Sequence, residues 1–407
     1  MKLTPRKYQS LAAEAGIKAL KYNKNNTMIS APTASGKSII ISEICHQLDD
    51  ATLILQPTKE ILEQNYAKLQ AYEIEDIGVY SASMKRREVE KYTYATIGSI
   101  YKKPELFRQF KYVLQDECHL YNPKGENSMY NSFFRAIGNP KVLGLSATPY
   151  RVVPGYYTDP LGEKYYTAKL QVLNRIHPFF FREFCYNITN KSLFDGGYLS
   201  PMDYIIPSSK IDAREIALNT TGADFNDKEL EDYMNSPKNV AKLVDGIVEN
   251  DHLAPNNLIF CTSIRHAYNS AERLSSLGYS CEVLTGEMSN TERERILTGL
   301  RDGKIKRLFN VGVLTTGADF PGLYMVTLGR PVLSLGLYYQ MCGRSIRLDP
   351  FNPSKRSTIL DPFKLHERFG RVKTIEITKN GYKDEVRTEL GVMTGVPLFN
   401  FKINKNE

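Results

Sequence analysis

Three short clusters in this chain carry side chains suited to phosphate chemistry. The first is Ala31-Pro32-Thr33-Ala34-Ser35-Gly36-Lys37-Ser38, which follows the apolar run Thr27-Met28-Ile29-Ser30 and opens onto Ile39-Ile40-Ile41-Ser42-Glu43-Ile44. This is strand, small-residue loop and helix, in which Gly36 frees backbone N–H groups to turn inward and the helix N-terminus adds partial positive charge. Ala34, Ser35 and Gly36 would line a phosphate cradle, Lys37 would reach the β- and γ-phosphates, and the Ser38 hydroxyl would sit on Mg²⁺. Ala31 stands where the usual pattern has Gly.

The second cluster, Asp116-Glu117-Cys118-His119, ends the apolar run Tyr112-Val113-Leu114-Gln115. A carboxylate at the carboxyl end of a strand beside a phosphate loop helps hold Mg²⁺, here Asp116, and Glu117 is placed to orient and deprotonate an attacking water. His119 reads as a turn residue or a coupling hydrogen bond rather than a metal ligand. Ser146-Ala147-Thr148 ends the next strand, with hydroxyls placed to sense whether the phosphate site is occupied. The third cluster is Gln340-Met341-Cys342-Gly343-Arg344-Ser345-Ile346-Arg347, whose two arginines share a face if the segment is helical. Two converging guanidiniums would stabilise charge that develops on a transferred phosphoryl group.

Positioning these groups takes alternating strands and helices. Short apolar runs at 51–55, 77–80, 94–96, 112–114 and 142–145 alternate with helical segments, the mark of an open α/β sheet. The alternation resumes after residue 240, with strands expected at 258–260, 281–284, 307–311, 325–328 and 358–360 and a capping box at Ser289 and Glu292. We therefore expect an ATP-binding domain over 1–205, an interdomain connection over 206–235, a second α/β domain over 236–370 and a hairpin-like extension over 371–407, packed as a cover on the second domain.

The length of 407 residues exceeds what one core usually organises. The formal charge of +8 suits a nucleic-acid partner without requiring one. The six cysteines are far apart with no C-x-x-C pair, so no structural zinc is expected. No apolar stretch approaches a membrane span and no signal region follows Met1, which gives the expectation of a soluble, intracellular protein of the cytoplasm or nucleoid. Between 151 and 182, turn signals at Pro154-Gly155 alternate with aromatic clusters such as Phe179-Phe180-Phe181 and with Lys164, Lys169, Arg175 and Arg182. Such a segment either stacks on bases or packs at a domain edge, and packing is the reading held. Arg6 and Gln9, taken alone, read as a surface helix start.

Taken together and in order, these motifs resemble those of superfamily 2 helicases, nearest the branch of the type III restriction motor and the excision-repair and phage-type DNA helicases. The resemblance spans nearly the whole chain and includes Gln56-Pro57-Thr58, Ala95-Thr96-Ile97-Gly98-Ser99, Phe260-Cys261-Thr262-Ser263, Leu284-Thr285-Gly286 and Thr315-Thr316-Gly317-Ala318-Asp319-Phe320-Pro321. It implies two recombinase-like P-loop lobes of parallel sheets flanked by helices, with ATP in the interdomain cleft and a nucleic-acid strand across their tops. It assigns adenine contact to Arg6 and Gln9, nucleotide contact to Gly317 and Asp319, and coupling to His119, Ser146, Thr148 and Gln340. Strand contact falls to Thr58, Thr96, Ser99, Ser263, Thr285, Gly286 and Thr316. The D-E-C-H reading and the start of the last motif at Gln340 point away from the RNA-remodelling branch. The expectation is an ATP- and Mg²⁺-dependent DNA helicase or translocase with no membrane partner. An RNA helicase, the motor subunit of a restriction or nuclease complex, and a clamp with a dead ATPase are the alternatives.

Overall fold

Thr27-Met28-Ile29-Ser30 shows no alternation of polar and apolar residues, as expected for a strand covered on both faces, and it is buried throughout within strand β1 (Asn26–Ser30). The computed structural model describes residues 4–394 except 71, 73, 124, 126, 127, 159–161, 163, 215, 220–223, 315–319 and 382. After β1 come β2 (Thr52–Gln56), β3 (Ile77–Ser81), β4 (Arg86–Arg87), β5 (Tyr92–Thr96), β6 (Tyr112–Asp116) and β7 (Lys141–Ser146). A ribbon of β8 (Tyr150–Thr158) and β9 (Lys164–Val172) follows, and then β10 (Phe181–Asn187). The main sheet has the order β10-β1-β7-β6-β2-β5-β3-β4 and is parallel except where β4 turns back on β3. This order brings the carboxyl ends of β1, β7 and β6 side by side, where ligands of open α/β sheets bind.

The second sheet is built from β11 (Met202–Ile205), β12 (Asn257–Phe260), β13 (Glu282–Leu284), β14 (Arg307–Asn310), β15 (Met325–Thr327) and β16 (Ser357–Leu360). Its order is β11-β16-β15-β12-β14-β13, with parallel pairings throughout. The end of the described chain forms a three-stranded sheet of β17 (Glu376–Asn380), β18 (Lys383–Thr388) and β19 (Gly391–Val392).

The chain divides into two compact units, one of Met1–Arg151, Gln171–Ser192 and Ile377–Glu385, the other of Val152–Leu170, Leu193–Glu376 and Val386–Glu407. Three details differ from the sequence expectation. Met202–Ile205, expected at the end of the first domain, pairs with β16 of the second sheet. The stretch 206–235 is not a loose connection, because Ile211, Ile216, Leu218, Phe225, Leu230 and Met234 are buried in the second unit's core. These apolar residues are too irregularly spaced to show a period among polar neighbours. The 371–407 extension is not simply a cover on the second unit, since Ile377–Glu385 groups with the first. Asn174 Nδ2 donates to Asp384 Oδ2 at 2.6 Å and Asn187 Nδ2 to the Ile377 carbonyl at 3.0 Å.

The Phe179-Phe180-Phe181 triplet is split by the fold. Phe181 is 2% exposed, and Phe180 stacks on Phe134 at 5.6 Å and lies 4.1 Å from Tyr121. Pro154 and Gly155, read as turn residues, lie inside β8, where a two-stranded ribbon tolerates proline. The side chains of Tyr156, Tyr157, Tyr165 and Tyr166 lie outside the described set.

One glycine fixes how closely the acidic turn lies against the sheet. A Cβ on Gly144 of β7 would fall 2.7 Å from Cys118 Sγ and 2.9 Å from Phe181 Cε1. Gly144→Ala should therefore cost about 1–3 kcal/mol of stability by overpacking. A denaturant midpoint unchanged from the parent would show that Cys118 and Phe181 yield freely.

Candidate active site

The phosphate-loop segment leaves β1 with the Ala31 amide still donating to the Ser146 carbonyl of β7 at 2.9 Å. Ala34 (φ 63°) and Gly36 (φ 81°) then take left-handed backbone angles, and the Ser35 amide closes on the Pro32 carbonyl at 3.1 Å. Alternation of this kind turns successive N–H groups toward one side, a concave anion nest. The helix Lys37–Leu48 starts directly from it, with the Gly36 carbonyl accepting from Ile39 N and Ile40 N. Its first amides, which have no intrahelical acceptor, are available to a phosphate.

Gln9 braces this loop from behind. It is 2% exposed; its Oε1 accepts from Arg6 N at 2.8 Å and its Nε2 donates to the Ser35 carbonyl at 2.9 Å. Tyr8 OH reaches the same carbonyl at 2.9 Å. A Cβ on Gly36 would lie 2.4 Å from Gln9 Nε2, so both the contact and the backbone angle demand glycine there. Both ends of the Gln9 amide are thus engaged with the backbone, and Arg6 opens the helix Lys7–Tyr22.

The acidic pair closes the site from the end of β6. Lys37 Nζ lies 3.2 Å from Glu117 Oε1, and His119 Nδ1 lies 3.3 Å from Glu117 Oε2. His119 Nδ1 also lies 2.9 Å from Ser146 Oγ and 3.4 Å from Thr148 Oγ1. Burial works to raise the Glu117 carboxyl, but Lys37 and His119 outweigh it and hold the group well below the usual carboxylate range. Burial, then the charge of Glu117, pushes the Asp116 carboxyl up to about 6. Glu117 sits at φ 47°, with its amide donating to Asp116 Oδ1 at 2.9 Å.

A residue that the sequence reading missed joins the loop to this pair. Asn65, 4% exposed on the helix Lys59–Gln70, accepts from Ser38 Oγ through Oδ1 and donates from Nδ2 to Asp116 Oδ2 at 3.4 Å. Lys68, one turn on, approaches Ser38 Oγ at 3.4 Å. The signal was present: with Ile61, Leu62, Tyr66 and Leu69 setting the buried stripe, Asn65 is a polar residue at an apolar position. Ser38 and Asp116, bridged by one amide, form an oxygen donor set suited to a hard divalent cation. A buried carboxylate raised by its acidic neighbour is a place where added positive charge would be favourable. A magnesium ion would be held by Ser38 and Asp116 and would supply charge neutralisation at the phosphates.

The other expected positions are distributed over both units. Thr96 Oγ1 and Ser99 Oγ share a hydrogen bond of 2.8 Å, and Ser99 Oγ accepts from Ala82 N at 2.9 Å. Thr58 Oγ1 accepts from Ile61 N at 3.4 Å, at the start of its helix. In the second unit Ser263 Oγ caps the helix Ile264–Ser276 by accepting from His266 N at 3.1 Å. Thr285 is buried, and the Gly286 carbonyl accepts from Arg293 at 3.2 Å. Thr316, Gly317 and Asp319 lie outside the described residues.

Arg344 and Arg347 are not on a helix, so the shared helical face considered from their spacing does not form. The helix Leu335–Cys342 ends at Gly343, and the following carbonyls are captured elsewhere: Ser345 O by Ser357 Oγ at 2.6 Å and Ile346 O by Ser200 N at 2.8 Å. Arg344 folds back so that Nε donates to the Gln340 carbonyl at 3.2 Å. Burial lowers the Arg347 guanidinium to about 10. A second missed residue, Lys355, is 2% exposed and donates to the carbonyls of Pro321 and Arg347, both at 2.7 Å. It fastens the arginine turn to the end of the 315–321 motif. Burial lowers its ammonium to about 8.

Two nucleotide-type α/β units, one with a complete phosphate-loop and acidic-turn arrangement, define the class of P-loop motors. Residues 2–151 match the family model for the type III restriction enzyme res subunit, and 238–349 match the helicase conserved C-terminal domain. The chain therefore has the superfamily 2 helicase-like fold with these two domains, carries their ATPase motifs, and is related to DNA and RNA helicases and to restriction motor subunits.

Relatives are distant. A 51.5 kDa protein of Lactococcus phage (isolate 7-9) is 23% identical over 343 residues, covering 82% of this chain and 65% of the phage protein. The DNA 3'-5' translocase XPB2 of Sulfurisphaera tokodaii is 24% identical, covering 85% of this chain and 79% of its own. The type I restriction enzyme EcoAI endonuclease subunit of Escherichia coli is 21% identical over 90% of this chain but only 47% of its own. The Xenopus laevis nucleolar RNA helicase 2-A matches more locally, 32% identical over 90 residues and 22% of this chain. In fold, the chain is similar to the DNA-bound Type ISP restriction-modification enzyme LlaBIII, with a TM-score of 0.63, 16% identity, and coverage of 89% of this chain and 28% of that one. It is also similar to S. cerevisiae Dbp5 bound to RNA and ADP BeF3, with a TM-score of 0.55, 15% identity, and coverage of 90% and 88%. No helix among the described residues is long and apolar enough to cross a membrane.

Two outcomes follow for the missed residues. Asn65→Leu should weaken nucleotide binding in the presence of Mg²⁺ by roughly fivefold or more, because Ser38 and Asp116 lose a buried partner. A fluorescent-nucleotide titration giving parental affinity would make Asn65 mere packing. Lys355→Met should lower unfolding stability by about 1–3 kcal/mol, since two buried carbonyls lose their donor. A denaturation midpoint at the parental value would show that the clamp is dispensable.

Proposed function

We propose that the chain is an ATP-dependent DNA motor, a helicase or translocase that couples ATP hydrolysis to movement along duplex or branched DNA. The observation that carries the ATPase part is the convergence of Lys37, Glu117, His119 and Ser146 beside the Gly36 loop. Lys37 and the helix N-terminus hold the β- and γ-phosphates, and Glu117, kept ionised by Lys37 and His119, orients water and accepts its proton. His119 joins Glu117 to the Ser146–Thr148 turn, so a change at the γ-phosphate is felt in the loop that follows β7. Arg344 and Arg347 are assigned to charge stabilisation on the transferred group, with their turn held by Lys355. Gly317 and Asp319 are retained as nucleotide contacts, and Gln340 as a coupling residue. Gln9 serves chiefly to brace the loop, with adenine contact as a further role alongside Arg6.

The choice of DNA rests on the span of the relatives. In sequence, those named for DNA translocation or restriction align over most of this chain whereas the RNA helicases align locally, although in fold the DNA-bound and RNA-bound neighbours cover it alike. The hydroxyls of Thr58, Thr96, Ser99, Ser263, Thr285 and Thr316 and the backbone at Gly286 suit contact with phosphates rather than bases. Because the chain spans a minority of the length of the restriction enzymes it resembles, service as the motor part of a larger nuclease assembly is a second reading.

The test compares ATP turnover with duplex DNA, forked DNA, single-stranded DNA and RNA at fixed salt. DNA should stimulate most, with binding that weakens steeply as salt rises. Glu117→Gln should bind ATP but turn it over roughly 10²–10⁴-fold more slowly, and Arg347→Ala should lose most of the stimulation. Equal or greater stimulation by RNA would move the assignment to RNA, and full turnover by Glu117→Gln would remove the base.

A further inference from the structure

The motor machinery of the first unit occupies the carboxyl edge of its sheet. A second concentration of chemistry lies at the opposite, amino edge, where Asn26, Lys141 and Phe181 begin β1, β7 and β10. A cavity of about 430 Å³ opens there, lined by Lys24, Asn25, Asn139, Lys141, Phe179 and Arg182 among others. A smaller one of about 260 Å³, lined by Tyr121, Arg135, Phe179 and Phe180 among others, shares its aromatic wall. Among the described residues, none that lines either cavity is Asp or Glu. The nearest acid along the strand, Glu183, accepts from Asn23 Nδ2 at 2.9 Å.

The wall is rigid and the cluster upon it is not closed. Phe180 is fixed between Tyr121 and Phe134. Phe179, by contrast, is tilted against His177 with ring centroids 3.7 Å apart, the Arg182 guanidinium lies 4.8 Å from its ring centroid, and His177 and Arg182 are both exposed. Lys141 is anchored by donating to the carbonyls of Asn23 and Asn25, which fixes the turn that carries the exposed Lys24. Planar groups on which a base can stack, flanked by cations and side-chain amides, are what a nucleotide strand requires. A buried packing edge would have no use for them.

We propose that this amino edge is an auxiliary site for single-stranded nucleic acid, in which a base stacks within the exposed His177–Phe179–Arg182 cluster and adjoining phosphates lie near Lys24 and Arg182. An acidic protein segment fits the charge but not the open aromatic cluster, so the strand is favoured. The inference does not depend on the motor reading, because the phosphate loop and its partners are at the other end of the strands.

The test uses the full chain without ATP and a bromodeoxyuridine-substituted oligothymidylate of about 20 nucleotides, long enough to exceed one site. After irradiation, a cross-linked peptide containing 177–182 is expected, and its yield should fall roughly fivefold or more in Phe179→Ala while Phe179→Tyr retains it. Lys24→Glu and Arg182→Glu should each reduce the salt dependence of that cross-link by about one phosphate contact. Thermal melts establish that each variant is folded. Cross-links confined to peptides around Thr96 and Ser99 would overturn this site and leave the motor reading standing, and none anywhere would count against both. Labelling of 177–182 that polyglutamate suppresses as well as unlabelled oligothymidylate does would overturn the proposal in favour of an acidic protein partner.

Discussion

Two adjacent carboxylates cannot be buried at the end of a strand unless positive charge is brought to them, and much of the first unit follows from that constraint. Asp116 and Glu117 terminate β6, and their cost is offset by Lys37 at 3.2 Å and His119 at 3.3 Å from Glu117. Lys37 reaches Glu117 from the first residue of its helix, immediately after a left-handed Gly36. That turn is in turn pressed into place by Gln9 and Tyr8. His119 arrives because Gly144 has no side chain to hold the Cys118 turn away from the sheet. The charge pair thus draws together segments 80 residues apart, Lys37 and Glu117. Lys37 and Glu117 satisfy each other. A polyphosphate would offer the ammonium another anion and return the carboxylate to water, so the same pair could serve both as an ion pair and as the proposed working groups.

What the sequence made legible was whatever is encoded locally. The phosphate loop, the acidic turn and the buried parallel strands each depend on runs of a few residues, and the strands stand within a residue or two of where the apolar runs placed them. The capping serine at 289 was legible for the same reason, since a cap is read within one turn. Asn65 and Lys355 were not, because their partners are distant in sequence: Asp116 lies 51 residues from Asn65 and Pro321 34 residues from Lys355. A lone polar residue on an apolar stripe announces only that a partner exists. The 206–235 stretch failed for the converse reason, its buried side chains being too irregularly spaced to reveal a common face.

The arginine turn shows how spacing can mislead. Arg344 and Arg347 are three apart and would share a helical face, yet Gly343 ends the helix and Ser357, Ser200 and Lys355 claim the carbonyls of Ser345, Ile346 and Arg347. A helix would have bound its own carbonyls and left the arginines free to rotate on an exposed face. Here the backbone is fixed from three directions, which limits where each guanidinium can point. For a group that must meet developing charge in one place, fixed backbone matters more than helical order, because small errors of placement are costly.

The two edges of the first sheet carry different kinds of recognition. At the carboxyl edge the polar groups are buried, paired and few, an arrangement that tolerates one ligand geometry and senses its change. At the amino edge the cations are exposed, the aromatic cluster is open and the cavity is wide, an arrangement that tolerates many sequences and conformations. A motor needs the first property where ATP is turned over, since coupling requires that occupancy alter a network. It gains from the second wherever a strand must be kept close without being read, since loose, charge-assisted stacking holds a chain while allowing it to slide. The parallel sheet separates these requirements by the length of its own strands, so that holding a strand at one end imposes no geometry on the phosphates at the other.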